Sequence, residues 1–236
     1  MNHEIEVFAR DGKIVLDTSG IERYGEISIR YYFHPKRFKK IPKKRLRNDA
    51  QDLEEILGLE NLNVITEVHT EMEEFLRALE REAKSLSEKR NTRLERLNLH
   101  KRRVFDFIKK VDNKDPRVDF TDEQASKVVK YYEMASSFSF LLEPNNRLPR
   151  EFKKFGEDLE TDLHVISTAF TLAHESQVMI ITKDLGIRDL SQMIGLLLHY
   201  PIVREIYEIQ ELPKYQIRTG STTMNFPDVS YIPQLK

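Results

Sequence analysis

Four acidic side chains stand where apolar runs meet polar ones: Asp17 after Ile14-Val15-Leu16, Glu71 early in the stretch Thr66 to Leu79, Asp162 just ahead of Leu163 and Ile166, and Asp184 after Val178 to Ile181. Carboxylates are hard oxygen donors, and a cluster of them holds a divalent cation such as Mg2+ or Mn2+. Such an ion lowers the pKa of a bound water and neutralises charge developing on phosphate oxygens, as phosphodiester cleavage without a protein nucleophile requires. One aspartate at a strand end is an ordinary cap or turn residue. Four acids at element ends form a more specific pattern. Glu67 stands one helical turn before Glu71, and Asp158 one turn before Asp162, so each can replace or assist its neighbour. Asp189, five residues after Asp184, is either a further carboxylate of the set or the N-cap of the following helix.

The elements that must position these acids follow from periodicity. Lys13 to Leu16 and Val178 to Ile181 read as short buried strands, each delivering an aspartate near its carboxyl end, which implies a parallel sheet with the site beyond the strand ends. Glu4 to Arg10 alternates Ile5, Val7 and Ala9 with polar neighbours, so a strand and an Asp11-Gly12 hairpin turn are expected before the first of them. Leu62 to Ile65 reads as a third strand. Thr66 then N-caps a helix with Val68, Met72, Phe75, Leu76 and Leu79 at helical spacing. The charged amphipathic pattern continues past Leu86 through Leu94, Leu97, Val104, Phe105 and Ile108, with no proline before Pro116. An element that long cannot dock wholly on one core, so a projecting helical hairpin is expected, paired within itself or with another subunit. Further helices are expected from Thr121 to about Leu142, Leu159 to His174 and Asp189 to Tyr200, then a strand from Ile202 to Ile209 and an extended tail. The resulting class is α/β: a parallel sheet flanked by helices, split into 1–79 and 151–210, with a helical insertion at 80–150 and a tail at 211–236.

Composition removes several classes of chemistry. A hydrophobic content of 39% in 236 residues supports one substantial core with an appendage. With no cysteine, disulfides, thiolate metal sites and cysteine nucleophiles are excluded. No Gly-rich phosphate loop, serine-nucleophile elbow or zinc-spaced cluster occurs, so kinase, dehydrogenase and serine-hydrolase readings have no support. The longest apolar stretch, Met193 to Ile209, is interrupted by His, Pro, Arg and Glu, and no signal sequence is read, so a cytoplasmic protein without a membrane partner is expected. The histidines are scattered; His69 and His164, nearest the acids, read as packing or surface residues.

The ordered set Ile14-Val15-Leu16-Asp17-Thr18-Ser19, Val68-His69-Thr70-Glu71-Met72, Asp162-Leu163-His164-Val165-Ile166 and Ile180-Ile181-Thr182-Lys183-Asp184 resembles the PIN-domain nucleases. In that family a hydrophobic strand ends in Asp-Thr-Ser, a glutamate follows on the first long helix, and two aspartates come late. The resemblance implies a PIN-like fold, Asp17, Glu71, Asp162 and Asp184 as ligands of Mg2+ or Mn2+, and Ser19 and Thr182 as hydroxyls that position the first and fourth acids or a metal-bound water. It implies an endoribonuclease that leaves 5′-phosphate and 3′-hydroxyl ends. The 90 residues between Glu71 and Asp162 exceed what compact PIN toxins carry. Asp184-Leu185-Gly186-Ile187-Arg188-Asp189-Leu190 also resembles the last motif of the small protein-only ribonuclease P group called HARP. Members of that group assemble through a helical insertion, which implies tRNA 5′-processing and a homo-oligomer as an alternative. A non-catalytic RNA-binding or scaffold protein with a PIN fold is the competing class, and the complete set of acids argues against it. A DNA-directed nuclease is a third reading.

The formal net charge of -1 hides two positive blocks. Lys36, Arg37, Lys39, Lys40, Lys43, Lys44, Arg45 and Arg47 fall within twelve residues without an acid, beside Phe33 and Phe38. Lys89 to Lys110 holds nine basic residues against Glu95 and Asp106. The first block reads as a phosphate-tracking RNA contact or a solvated loop. If it tracks phosphates, replacing Lys39, Lys40, Lys43 and Lys44 with Ala weakens binding equally for unrelated RNAs. The slope of log affinity against log salt then falls by roughly 3, at about 0.7 for each phosphate no longer neutralised. An unchanged slope with altered sequence preference would assign the block to base recognition.

Overall fold

Ile14, Val15 and Leu16 are fully buried and form β1 (Lys13–Leu16), as a short uninterrupted apolar run in a parallel sheet requires. A computed structural model describes residues 3–20, 57–59, 61–85, 92–114, 118–139, 155–182, 184–219 and 222–224. In chain order the remaining elements are α1 (His3–Phe8), placed before β1, then β2 (Leu62–Val64), α2 (Thr66–Ser85), α3 (Thr92–Lys114), α4 (Asp122–Ser139), α5 (Phe155–Leu172), β3 (Val178–Ile181), α6 (Leu185–Leu197), α7 (Pro201–Ile206), β4 (Ile217–Thr219) and β5 (Thr222–Met224). The strands form one sheet in the order β2-β1-β3-β4-β5, in which the first four are parallel and β5 is antiparallel to β4, so the fold is α/β. The chain divides into two compact units, Met1–Ala9 with Leu16–Val118, and Arg10–Val15 with Asp119–Lys236. Among the described residues no helix is long and apolar enough to cross a membrane.

In the first unit α2 buries Val68, Met72, Phe75 and Leu79, alternating steps of four and three residues that keep one stripe on one face. α3 buries Val104, Phe107, Ile108 and Val111. The two helices pack antiparallel: His69 Nε2 lies 3.1 Å from Asp112 Oδ1, and eleven residues further along α2 Glu80 pairs with Lys101, eleven residues back along α3, at 3.2 Å. Val104, Phe107, Ile108 and Val111 are thus covered within the chain, whereas the side chains of Leu94 and Leu97 lie outside those described. One position departs from expectation. Phe105 is 53% exposed while Phe107 and Val111 take the buried face, because a step of three from Val104 stays on its side of the helix and a step of one does not. α2 ends at Ser85 and α3 begins at Thr92; Leu86, expected on the same stripe, lies outside the described residues.

The N-terminal segment is the helix α1 and not the expected strand of a hairpin. Ile5 and Phe8, one helical turn apart, are buried, while Val7, apolar in the alternating pattern, is 49% exposed. Asn61 Nδ2 donates to the Ala9 carbonyl at 2.8 Å, at the end of this helix.

In the second unit the Lys13 N–H donates to the Gln177 carbonyl (2.8 Å) and the Val178 N–H to that of Gln216 (3.0 Å). β3 and β4 pair with Val178 opposite Ile217 and Ile180 opposite Thr219. Parallel neighbours cannot be joined by a tight turn, and α6 and α7 make the crossover between them. The C-terminal segment expected to be an extended tail thus supplies β4 and β5; residues 225–236 lie outside the described ones. The strand expected from Ile202 to Ile209 is the helix α7. Pro201 at its first turn has the preset φ and needs no N–H partner there. Its end is a Schellman turn: the Ile209 N–H reaches the Arg204 carbonyl (2.8 Å) across Glu208 at φ 52°. A left-handed non-glycine residue costs about 1–2 kcal/mol. Lys130 helps hold Glu208 there, donating to its carbonyl at 3.2 Å and lying 3.6 Å from its carboxylate.

α4 opens on a capping box, with the Gln124 N–H donating to Thr121 Oγ1 (3.3 Å) and the Thr121 N–H to Gln124 Oε1 (3.1 Å). It packs on α5, which is buried on several faces through Leu163, Val165, Ile166, Ala169, Phe170 and Leu172. Ser167, fully buried, donates to the Leu163 carbonyl at 2.6 Å and so carries no unpaired hydroxyl into the core. The Tyr131 ring meets Phe170 at 5.4 Å, and its hydroxyl lies 2.8 Å from His174 Nε2. Burial holds the tyrosine well above the usual phenol range, so it stays protonated beside the imidazole. Burial, followed by Lys127, holds His174 below the usual histidine value, against weaker pulls upward from Glu211 and Glu175. A histidine depressed in the fold contributes stability that is present above its unfolded value near 6.5 and is lost as pH falls through the folded value. Urea unfolding followed at about pH 7.5 and about pH 5.5 therefore loses more stability in the wild type than in His174→Gln, whose amide can hydrogen-bond without titrating. Equal losses would show that His174 is not the group responsible.

Candidate functional site

Both strand-end aspartates do the same local work. A helix that begins directly after a buried strand leaves its first N–H groups without intrahelical partners, and a carboxylate at the junction satisfies one of them. Residues 18–20 are helical, and Asp17 Oδ2 accepts from the Ser19 N–H at 3.2 Å. Asp184 is the N-cap of α6, with Oδ1 accepting from the Gly186 N–H at 2.6 Å. This corrects the cap assignment considered for Asp189. α6 begins at Leu185, so Asp189 lies in its second turn, where its Oδ1 accepts from Arg188 Nε (2.8 Å) and Nη2 (2.7 Å).

The hydroxyls expected beside these acids differ in what they contact. Ser19 Oγ donates to Asp17 Oδ2 at 2.5 Å, so the first acid receives two hydrogen bonds from one residue. Thr182 Oγ1 accepts from the Asp184 N–H at 2.9 Å, shaping the backbone that leads into the cap.

In the first unit Glu71 joins the Asp17 junction. Thr18 Oγ1 donates to Glu71 Oε2 at 2.5 Å, linking residues 53 positions apart. Asp17 is 3% exposed and Thr18 7%, while Ser19 and Glu71 are half-buried. The rotation of α2 about its axis makes this contact: with Val68, Met72 and Phe75 turned into the core, Glu71 falls on the rim of the buried stripe. Glu67, one turn earlier, is also half-buried. Thr18 was not among the hydroxyls expected to matter. Its signal was visible, since a β-branched hydroxyl residue between Asp17 and Ser19 has only a stiff χ1 with which to satisfy a buried oxygen.

In the second unit Asp162 sits half-buried near the start of the α5 core, beside Thr161 and Leu163, and Asp184 is half-buried at the α6 cap. Asp158 falls on α5, and its side chain lies outside those described. Lys36 to Arg47 also lies outside the described residues, as do Lys89 and Arg90. Both histidines near the acids have partners: His69 meets Asp112, and His164 packs on Tyr132 with centroids 4.6 Å apart and the rings tilted by 47°.

Among the described residues no group of three or more His, Asp and Glu side chains stands together as a ready metal site. The acids carry the donor chemistry of a hard cation, oxygen ligands only, and one oxygen each of Asp17 and Glu71 is already oriented by a hydroxyl. Comparison with protein-family models, with curated proteins and with solved structures returns no match to this chain.

The cap geometry separates charge from structure at Asp184. Asn caps a helix as well as Asp does, whereas Ala does not. Asp184→Ala should therefore lower the unfolding free energy by about 1 kcal/mol and Asp184→Asn by no more than a few tenths. Equal losses in chemical denaturation would remove the cap as the reason the aspartate is there.

Proposed function

We propose that this chain is a metal-dependent endoribonuclease with a PIN-like catalytic arrangement, in which Asp17, Glu71, Asp162 and Asp184 hold Mg2+ or Mn2+. One observation carries the reading: a glutamate on the first long helix is tied by Thr18 to the Asp-Thr-Ser junction at the end of a buried strand. Structural capping alone needs Asp17 and not Glu71, so a second carboxylate held at the same three residues points to a use for paired negative charge. The all-oxygen donor set suits a hard divalent cation and excludes a soft one. When bound, such an ion supplies an activated water and neutralises charge on the phosphate. The protein's own part is orientation. Ser19 fixes one oxygen of Asp17, and the Asp184 cap fixes the fourth acid at a helix N-terminus. The basic block Lys36 to Arg47 supports RNA as substrate through backbone contacts. The Asp184 to Leu190 motif supports a tRNA-processing role as the narrower form of the same activity.

The test is cleavage of total RNA by purified protein with Mn2+, with the new 5′ ends sequenced. Asp17→Asn, Asp162→Asn and Asp184→Asn should each lose at least about 10²-fold in rate, and the doubles little more than the worse single, because ligands of one ion act as a unit. Full activity in Asp184→Asn sinks the assignment. RNA that is bound by the wild type but never cut establishes the non-catalytic RNA-binding reading, and cleavage confined to DNA establishes the DNA-directed one.

A further inference from the structure

α3 carries a face that its packing within the chain leaves free. Asn98, Arg102, Phe105 and Lys109 follow one another in steps of four, three and four residues, which at about 3.6 residues per turn keeps them within about 60° of one another around the helix. All four are exposed, Phe105 by 53%, while Val104, Phe107, Ile108 and Val111 are buried on the other side. Arg102 and Lys109 make no ion pair among the described residues, although Lys101 is taken by Glu80 and the exposed Asp106 borders the stripe within about a turn of both. We propose that this face of α3 is a docking surface for single-stranded RNA, with Phe105 stacking on a base and Arg102 and Lys109 holding phosphates on either side of it. The proposal rests on the nuclease reading for the choice of RNA and gives that substrate a place on α3.

A single exposed apolar residue is ordinary on a protein surface, so the ring alone carries nothing. Its place between two free cations does. Arg102 and Lys109 are seven residues apart, about 10 Å along the axis, which is the length of about three nucleotides at about 3.4 Å each in one stacked strand. A strand laid along α3 therefore brings phosphates to both cations with a base over the ring between them. Every base has a π-face, so such a platform binds without reading sequence, and a cationic track with an interposed aromatic is the chemistry of single-strand binding. A duplex keeps its bases stacked on one another and offers the ring no free face. A second copy of the chain is a poorer occupant: two such faces set together bring cations toward cations, and one ring from each side falls far short of the roughly 800 Å2 per partner of a stable interface.

Binding is read without cleavage, by fluorescence anisotropy of an end-labelled mixed-sequence RNA oligonucleotide with EDTA present, as a single strand and as a duplex, over a series of salt concentrations. The full-length wild type is compared with Phe105→Ala, Phe105→Tyr and the double variant Arg102→Gln/Lys109→Gln, each of which should unfold at the wild-type urea concentration because the positions are exposed. Phe105→Ala should weaken single-strand binding by about 5- to 150-fold, the loss of one stacked base, with the salt slope unchanged. Phe105→Tyr keeps the ring and should bind within a few-fold of wild type. The double variant should lower the slope of log affinity against log salt by about 1.4, at about 0.7 for each phosphate, and the duplex should bind Phe105→Ala and wild type alike. Wild-type affinity in Phe105→Ala overturns the proposal, as does equal impairment of the tyrosine and alanine variants or an unchanged salt slope in the double variant. Light scattering tests the remaining occupant: a wild-type oligomer that Phe105→Ala dissociates makes the face a contact between copies and overturns it too. The nuclease reading fails separately. Phe105-dependent binding with no cleavage in Mn2+ keeps the surface and removes the nuclease, while cleavage in Mn2+ with binding indifferent to Phe105 does the reverse.

Discussion

A helix that starts where a buried strand stops must find partners for its first N–H groups, and the rest of this structure depends on how two such junctions meet that demand. The carboxyl ends of β1 and β3, Ile14-Val15-Leu16 and Val178-Met179-Ile180-Ile181, are apolar and offer no side chain for the purpose. The first polar positions beyond them must supply it. Asp17 and Asp184 do so in the same way, each accepting from the N–H two residues further on. The caps bring negative charge to fixed places at strand carboxyl ends, beside partial positive charge at helix starts. Structural need and chemical opportunity therefore coincide at these aspartates, and a carboxylate there is no evidence of function by itself.

Glu71 is different, because no backbone demand explains it. It lies inside α2, where the intrahelical ladder already satisfies the N–H groups. Its position follows from side-chain packing: the stripe of Val68, Met72, Phe75 and Leu79 sets the rotation of α2, and the antiparallel α3 closes over that stripe with Val104, Phe107 and Val111. Exposed ion pairs such as Glu80 with Lys101 contribute little energy and serve mainly to show the register. Once the rotation is set, Glu71 reaches Thr18, and a residue far away in sequence becomes part of the Asp17 junction.

The second unit is held by a different device, a central helix buried on several sides. α5 carries Ser167, Thr168 and Thr171 among its apolar residues, all nearly inaccessible. Ser167 returns a hydrogen bond to the preceding turn, whereas Thr171 Oγ1 is buried with no hydrogen-bond partner among the described residues. At its end Tyr131 and His174 form a polar pair at the edge of the core, with the phenol kept protonated and the imidazole neutral by the same burial.

Much of this was legible from residue order alone. Uninterrupted apolar runs identified β1 and β3, the four-and-three spacing identified α2, Thr121 with Gln124 identified the start of α4, and the acids stood out because polar residues at the ends of such runs are few. These signals are local, and local backbone hydrogen bonding answers to local sequence. What sequence could not decide was the partner of each apolar face. Ile5, Val7 and Ala9 alternate as a strand would, yet burial of Ile5 with Phe8 makes a helix there. The β-branched residues after Pro201 suggest a strand, but a proline start and a Schellman end make a short helix. Ile217 to Thr219 looks like tail until it is seen paired with β3. The Thr18 to Glu71 hydrogen bond belongs to the same class: both residues were in plain view, but only the rotation of α2, set by packing against α3, turns the glutamate to the hydroxyl. Periodicity determined which elements this chain forms; which groups meet was left to tertiary packing, because burial is a property of what lies opposite and not of the residue itself.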